Sequence, residues 1–300
     1  LTWGPFHPFA YRRILAESRA FQPSIVHVIG NGMSLPGAWI ASALKTPYVV
    51  SLVRNPGAQG RRWSPPARVA RLILPSQAMR AELVNTLKTP SGLCSVVEPG
   101  MNVDRYAAPE EPMVGGNPTF AMTGLLARGR GYRRFIHLAA QLSRVHEQVE
   151  FLIVGEGPDG AMLRRAVDKL GVRRRVTFIS SSHEWPEILR LCTASVCIEP
   201  DYGGEMEILT SMAAGCPVVA SSSGVTYNYI TENETGLLVA ANDRDGFLDA
   251  LNGLMFEPLR AHKMGLAARE LIRKKYPLSE MTAQIVDIYE SALQRARAGK

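Results

Sequence analysis

Glu199-Pro-Asp-Tyr-Gly-Gly-Glu-Met-Glu-Ile-Leu-Thr-Ser-Met-Ala-Ala-Gly-Cys-Pro-Val-Val-Ala220 reads as a strand end, a Gly-Gly turn, a short helix and a second, buried strand. The pair Gly203-Gly204 permits a tight turn at positive φ and a close approach of a ligand to the backbone. The helix behind it, which carries Glu205, Glu207 and Thr210, aims its free N–H groups and positive dipole end at the turn. That arrangement suits a phosphate or diphosphate. Gly215 stops the helix, Pro217 opens the next strand, and Val218-Val-Ala220 is too apolar for a sheet edge. An αβ unit without any ligand shows the same pattern, so the block by itself fixes the fold and not the function.

Working outward, strands and helices alternate nearly throughout, which predicts parallel sheets with helices on both faces. Strands are expected at 25–29, 48–53, 71–74 and 93–97, with helices at 9–20, 36–44 and 77–87, the last capped by Ser76. A Pro-rich polar stretch at 107–118 then marks a linker. The alternation resumes with strands at 119–122, 150–154, 175–179, 194–198, 217–220 and 236–239. Helices fall between them and close the chain at 244–256, 258–275 and 279–297. The domain expectation is therefore 1–113, 114–278 and a terminal helix at 279–300, with a ligand cleft between two α/β units.

Composition narrows the function classes. With 46% hydrophobic and 20% charged residues the chain buries substantial cores, and no apolar run is long enough to cross a membrane. Cys94, Cys192, Cys197 and Cys216 show no paired spacing and lie in apolar segments, as reduced core thiols of a cytoplasmic protein do. No His/Asp/Glu cluster offers the closely spaced oxygen ligands of a metal site, so neither a metal nor another cofactor is expected. The net charge of +7 is uneven: residues 1–113 hold 12 Lys+Arg against 6 Asp+Glu. Trp3, Phe6 and Trp63 sit near the arginines of that half, which suggests an anionic membrane surface or a phosphorylated acceptor as partner. Nucleic acid is not expected, since no aromatic-interleaved basic motif, helix-turn-helix or zinc pattern occurs.

Met212-Ala-Ala-Gly-Cys-Pro-Val-Val-Ala-Ser221 resembles the C-terminal-domain signature of the retaining, nucleotide-sugar-dependent glycosyltransferases of family 4. Val97-Glu-Pro-Gly-Met-Asn-Val-Asp-Arg-Tyr106 resembles the segment that leads out of that family's first domain. Phe151-Leu-Ile-Val-Gly-Glu-Gly-Pro158 resembles a strand-turn of its second. The resemblance spans about residues 20–295 and implies a GT-B fold, two Rossmann-like parallel α/β domains, with the first one incomplete at its N-terminus. It also implies a UDP-, GDP- or ADP-linked donor, metal-independent transfer, and a last helix that crosses back to the first domain.

Retaining transfer requires the leaving diphosphate to be neutralised and the sugar and acceptor to be held in line. In this family a Gly-rich segment supplies an Arg and a Lys for the first task. The corresponding Gly124-Leu-Leu-Ala-Arg-Gly-Arg-Gly131 puts Arg130 on the Lys position and Leu125 on the Arg position, with Arg128 between them. Anchored on Met212-Ala213, the family's helix Glu falls on Thr210, and its loop Glu equates loosely with Glu205. Glu207 lies one turn before Thr210 and is kept as a candidate at the helix mouth. In the first half, His27 matches the first His of a His-x-His, while Ile29 and Val53 stand where the family places other histidines.

The expected catalytic set is thus Glu205, Arg130 and His27. The expected donor-binding set is Gly124, Arg128, Arg130, Gly203, Gly204, Glu205, Glu207 and Thr210. The reading is a hexosyltransferase acting on a lipid, polysaccharide or small acceptor, cytoplasmic or peripheral on the membrane. Two alternatives remain: a catalytically degenerate relative that binds a nucleotide sugar or a partner protein without transfer, and, less favoured, a nucleotide-sugar epimerase. On the degenerate reading, restoring Leu125→Arg and Thr210→Glu is expected to raise donor affinity.

Overall fold

The computed structural model describes residues 8–53, 56, 64–66, 68–106, 116–180, 185–198, 204–223 and 225–298, with side chains from residue 11 on. Gly203, Trp3, Phe6 and Trp63 lie outside the described residues. The chain divides into two units, one up to Pro99 and again from Ser279, the other from Gly100 to Leu278. The second unit starts ahead of the 113/114 boundary that composition suggests. The reason is local: Met101 N–H donates to the Tyr276 carbonyl at 2.8 Å and Leu278 N–H to the Met101 carbonyl at 3.1 Å. The residues after Pro99 are therefore laced to the end of the second unit.

The first unit runs α1 (Pro8–Phe21), β1 (Val26–Ile29), α2 (Ser34–Leu44), β2 (Tyr48–Ser51), β3 (Val69–Leu74), α3 (Gln77–Asn85) and β4 (Cys94–Val96). Its four strands pair in parallel in the order β1-β2-β3-β4. Ser76 caps α3 by accepting from Met79 N–H at 3.2 Å, as its position predicts. The terminal helix, Leu278–Ala298, belongs here: Ala292, Met281, Ile285, Ile288 and Tyr289 pack on Val49, Ile73 and Val97.

The second unit contains β5 (Thr119–Thr123), α4 (Tyr132–Val145), β6 (Glu150–Val154), α5 (Gly160–Lys169), β7 (Val176–Ile179), α6 (Trp185–Leu189), β8 (Ala194–Cys197) and α7 (Glu205–Ala213). It continues with β9 (Val218–Ser221), α8 (Thr226–Tyr229), β10 (Gly236–Val239), α9 (Arg244–Phe256) and α10 (Pro258–Lys275), and the terminal helix is α11. The six strands form one parallel sheet ordered β10-β9-β8-β5-β6-β7. Each of α4's core residues, among them Phe135, Ile136, Ala139 and Leu142, returns at a spacing of three or four to one buried stripe. Those side chains meet Phe120, Phe151 and Ile153 from the sheet. Full burial of one such side chain stabilises by about 1.5–3 kcal/mol, so this layer holds the sheet rigid under its loops.

Two features set α7 in place. Gly215, at φ 75, ends the helix, with its N–H on the Met212 carbonyl and Cys216 N–H on that of Ser211. The buried Arg269 of α10 donates to the carbonyls of Ala213, Val103 and Tyr106, so a cation sits at the negative end of the helix. Val218–Ala220 are fully buried between β10 and β8, as an interior strand must be. The four-residue α8 has no counterpart in the sequence reading, because Thr226-Tyr-Asn-Tyr229 is too short to show helical periodicity.

Candidate functional site

In the six-stranded sheet, chain order runs outward in opposite directions from the adjacent pair β5 and β8. The carboxyl ends of these two strands are therefore a topological switch point, the position where open α/β sheets bind ligands. The loop after β5 supplies Gly124 through Gly131, and the segment after β8 leads into α7.

The crevice floor is backbone on backbone. Gly124 N–H donates to the Val154 carbonyl and Gly155 N–H to that of Ile179, both at 2.9 Å, which continues the parallel ladder into the turns. Gly124 has φ 117 and Gly155 φ 152. A Cβ on Gly155 would fall on the Gly124 carbonyl oxygen, and one on Gly124 would fall on the Glu207 carboxylate. Only glycines let the two turns and the first turn of α7 converge this closely.

Arg130 and Glu207 meet there, with Nη1 3.7 Å from Oε1 and side chains 15% and 19% exposed. They line a narrow pocket with Thr123, Tyr132, Cys197 and Gly204. Burial first and then the Glu207 charge push the Cys197 thiol up to about 12, against the opposing effect of Arg130. The Tyr132 phenol is raised for the same reasons in the same order. Both groups are uncharged near neutrality and leave Arg130 and the carboxylates to set the field. Next to the pocket lies a groove of about 490 Å³, lined by Gly124, Leu125, Glu156, Trp185, Met206 and Glu207. Its size suits a small organic ligand rather than a lone ion.

The structure thus brings together Gly124, Arg130, Gly204 and Glu207 of the expected residues. Glu205 is 4% exposed in the first turn of α7. Thr210, one turn deeper and 3% exposed, lines neither the pocket nor the groove. Arg128 is exposed and also lines neither. His27 lies in the first unit with both ring nitrogens engaged, Nδ1 at 2.6 Å from the Tyr289 hydroxyl and Nε2 at 2.8 Å from Ser51 Oγ. Burial lowers its pKa, so the ring is held neutral as a link between β1, β2 and α11. Sequence reasoning missed Tyr132, Glu156 and Trp185. Glu156 was visible within Gly155-Glu-Gly157, whereas Trp185 reaches the groove from α6 with no local signal. Among the described residues no group of His, Cys, Asp or Glu is placed to hold a metal ion, and no helix is long and apolar enough to cross a membrane.

Residues 107–271 match the family model described as glycosyl transferases group 1, and residues 1–100 match that of a glycosyl transferase 4-like domain. The GDP-mannose-dependent alpha-(1-6)-phosphatidylinositol monomannoside mannosyltransferase of Mycobacterium tuberculosis is 28% identical over 215 residues, covering 66% of this chain and 56% of that protein. The D-inositol 3-phosphate glycosyltransferase of Nocardia farcinica is 25% identical, over 77% of this chain and 57% of that one. The chain spans about half the length of the curated relatives it matches. Among solved structures, Anabaena HepE in complex with UDP and glucose superposes with a TM-score of 0.78 at 17% identity, over 94% of this chain and 81% of that one. Sucrose-phosphate synthase from Thermosynechococcus elongatus gives 0.76 at 19%, over 98% and 83%. At these identities the structural likeness establishes the shared GT-B architecture, two parallel α/β units.

Proposed function

The chain belongs to the group 1 glycosyl transferases, and from that premise we propose that it moves a hexose from a UDP-, GDP- or ADP-linked donor to a lipid, polysaccharide or small acceptor. The observation that carries this reading is the convergence of Gly124, Arg130 and the first turn of α7 at the carboxyl ends of β5 and β8. A nucleotide lies along the groove, and its diphosphate faces Arg130 and the start of α7. As the glycosidic bond breaks, negative charge grows on the leaving diphosphate. A forked guanidinium and a helix dipole meet that charge without reorganising. No step requires a metal, because the positive charge comes from the chain itself.

Arg130→Ala is expected to weaken UDP, GDP and ADP by about 1.5–3 kcal/mol, the scale of a charge-assisted hydrogen bond. Calorimetry on parent and variant measures it. Equal affinities for every nucleotide remove this site as the donor site.

On the acceptor side, the proposed partner is a lipid or glycan presented at an anionic membrane surface. Arg12, Arg13 and Arg19 on α1, with exposed Phe21, Leu35 and Trp39, support this for the first unit. Co-sedimentation with phosphatidylglycerol vesicles is expected to rise with anionic lipid content and to fall with salt. Binding that ignores both, or no binding, makes these arginines ordinary solvated side chains.

A further inference from the structure

We infer that Glu207 is a built-in competitor for the diphosphate: its carboxylate occupies the anion position beside Gly124 and Arg130, and a ligand must displace it to reach the guanidinium. The inference rests on the donor site proposed above and adds how that site's affinity is set. Glu207 is not at the surface by accident of rotamer. Its carboxylate fills the space that Gly124 leaves by having no side chain, and its side chain and that of Arg130 are both more than four-fifths buried. It stands in the first turn of α7, where the helix dipole favours a negative charge. Three favourable terms therefore hold the carboxylate where an external anion would go.

The groove enforces the competition. Among the described residues that line it the charged ones are Glu156 and Glu207, and on that lining an entering diphosphate meets carboxylates before it meets a cation. Arg130 lines the pocket behind Glu207. Binding is then an exchange, in which one Arg130 partner is replaced by another that carries more charge. The net gain is smaller than the new contact alone, and the diphosphate product leaves more readily for the same reason. The exposed Glu156 is screened by solvent and contributes less.

Glu207→Gln keeps the shape and removes the charge. Calorimetry with inorganic pyrophosphate, and separately with UDP and GDP, on parent, Glu207→Gln and Glu207→Gln/Arg130→Ala tests the inference. Glu207→Ala serves as a second charge-free variant, and thermal melts check that each protein is folded. The expected result is pyrophosphate binding at least about tenfold tighter in both charge-free variants, equivalent to about 1.4 kcal/mol, with the gain lost when Arg130 is also removed. Unchanged or weaker pyrophosphate binding in the charge-free variants overturns the competitor role, as does failure of pyrophosphate to bind any of the proteins. A gain for pyrophosphate with no binding of UDP or GDP leaves the competitor role standing and overturns the nucleotide-sugar reading.

Discussion

Thr210→Glu is expected to destabilise the second unit by about 3–5 kcal/mol, the scale of an uncompensated buried charge. A motif register anchored on Met212-Ala213 makes the same substitution look like the repair of a lost donor contact. The structure puts it elsewhere. Thr210 is 3% exposed, its neighbours Leu209 and Ser211 are fully buried, and it borders neither the groove nor the Arg130 pocket. A carboxylate there is stripped of most of its hydration. Its pKa in the folded state then rises above the unfolded value of about 4.3. The folded protein binds the extra proton more tightly, so the charge penalty is absent below about pH 4 and grows as pH rises through the folded pKa. Thr210→Gln carries the bulk without the charge and is expected to lack this pH dependence. Chemical denaturation of both variants at about pH 4.5 and 7.5 separates the two effects. A Thr210→Glu protein as stable as its parent, with tighter nucleotide binding, would show that residue 210 reaches the donor after all.

The contrast between Thr210 and Glu207 shows how far the sequence could be read. Three residues advance a helix by about 4.5 Å, so Glu207 in the first turn of α7 and the buried Thr210 lie almost one turn apart along it. A pattern match counts positions from the Met-Ala-Ala-Gly end and cannot register that difference in depth. Its physical trace was the Glu-rich start of the helix, which kept Glu207 in view. Elements whose cause is local were legible: the Ser76 cap, the Gly215 stop, the interior strand Val218–Ser221 and the amphipathic α4. Elements whose cause is distant were not. Trp185 lines the groove only because α6 packs against α7, and His27 is a link only because α11 returns with Tyr289. Leu125 falls between these cases. It is 42% exposed on the groove, so an arginine at that position has room and solvent, unlike a glutamate at 210.

Gly155→Ala adds a single methyl group and is expected to cost about as much as the buried charge. At φ 152 the backbone is in a region that L side chains rarely adopt, which costs about 1–3 kcal/mol by itself. The new Cβ would also fall on the carbonyl oxygen of Gly124. A side chain could rotate away, but this carbonyl belongs to a turn whose Gly124 N–H is bonded to Val154, while Gly155 is bonded to Ile179. Neither turn can retreat without breaking the ends of three parallel strands, so steric crowding adds about another 1–3 kcal/mol. Together these terms predict a loss of about 3–5 kcal/mol, or a fall in Tm of about 10 °C for a unit of this size. Nucleotide binding should weaken as well, since any retreat of Gly124 moves the surface on which Glu207 and Arg130 rest. Gly253→Ala supplies the opposite sign: it lies within α9 with nothing near its missing Cβ, and is expected to stabilise by about 0.5–1 kcal/mol. Thermal melts of the two variants beside the parent decide the matter. A Gly155→Ala protein within about 1 kcal/mol of the parent means that the two turns do not meet through bare backbone, and the close floor of the site then loses its physical basis.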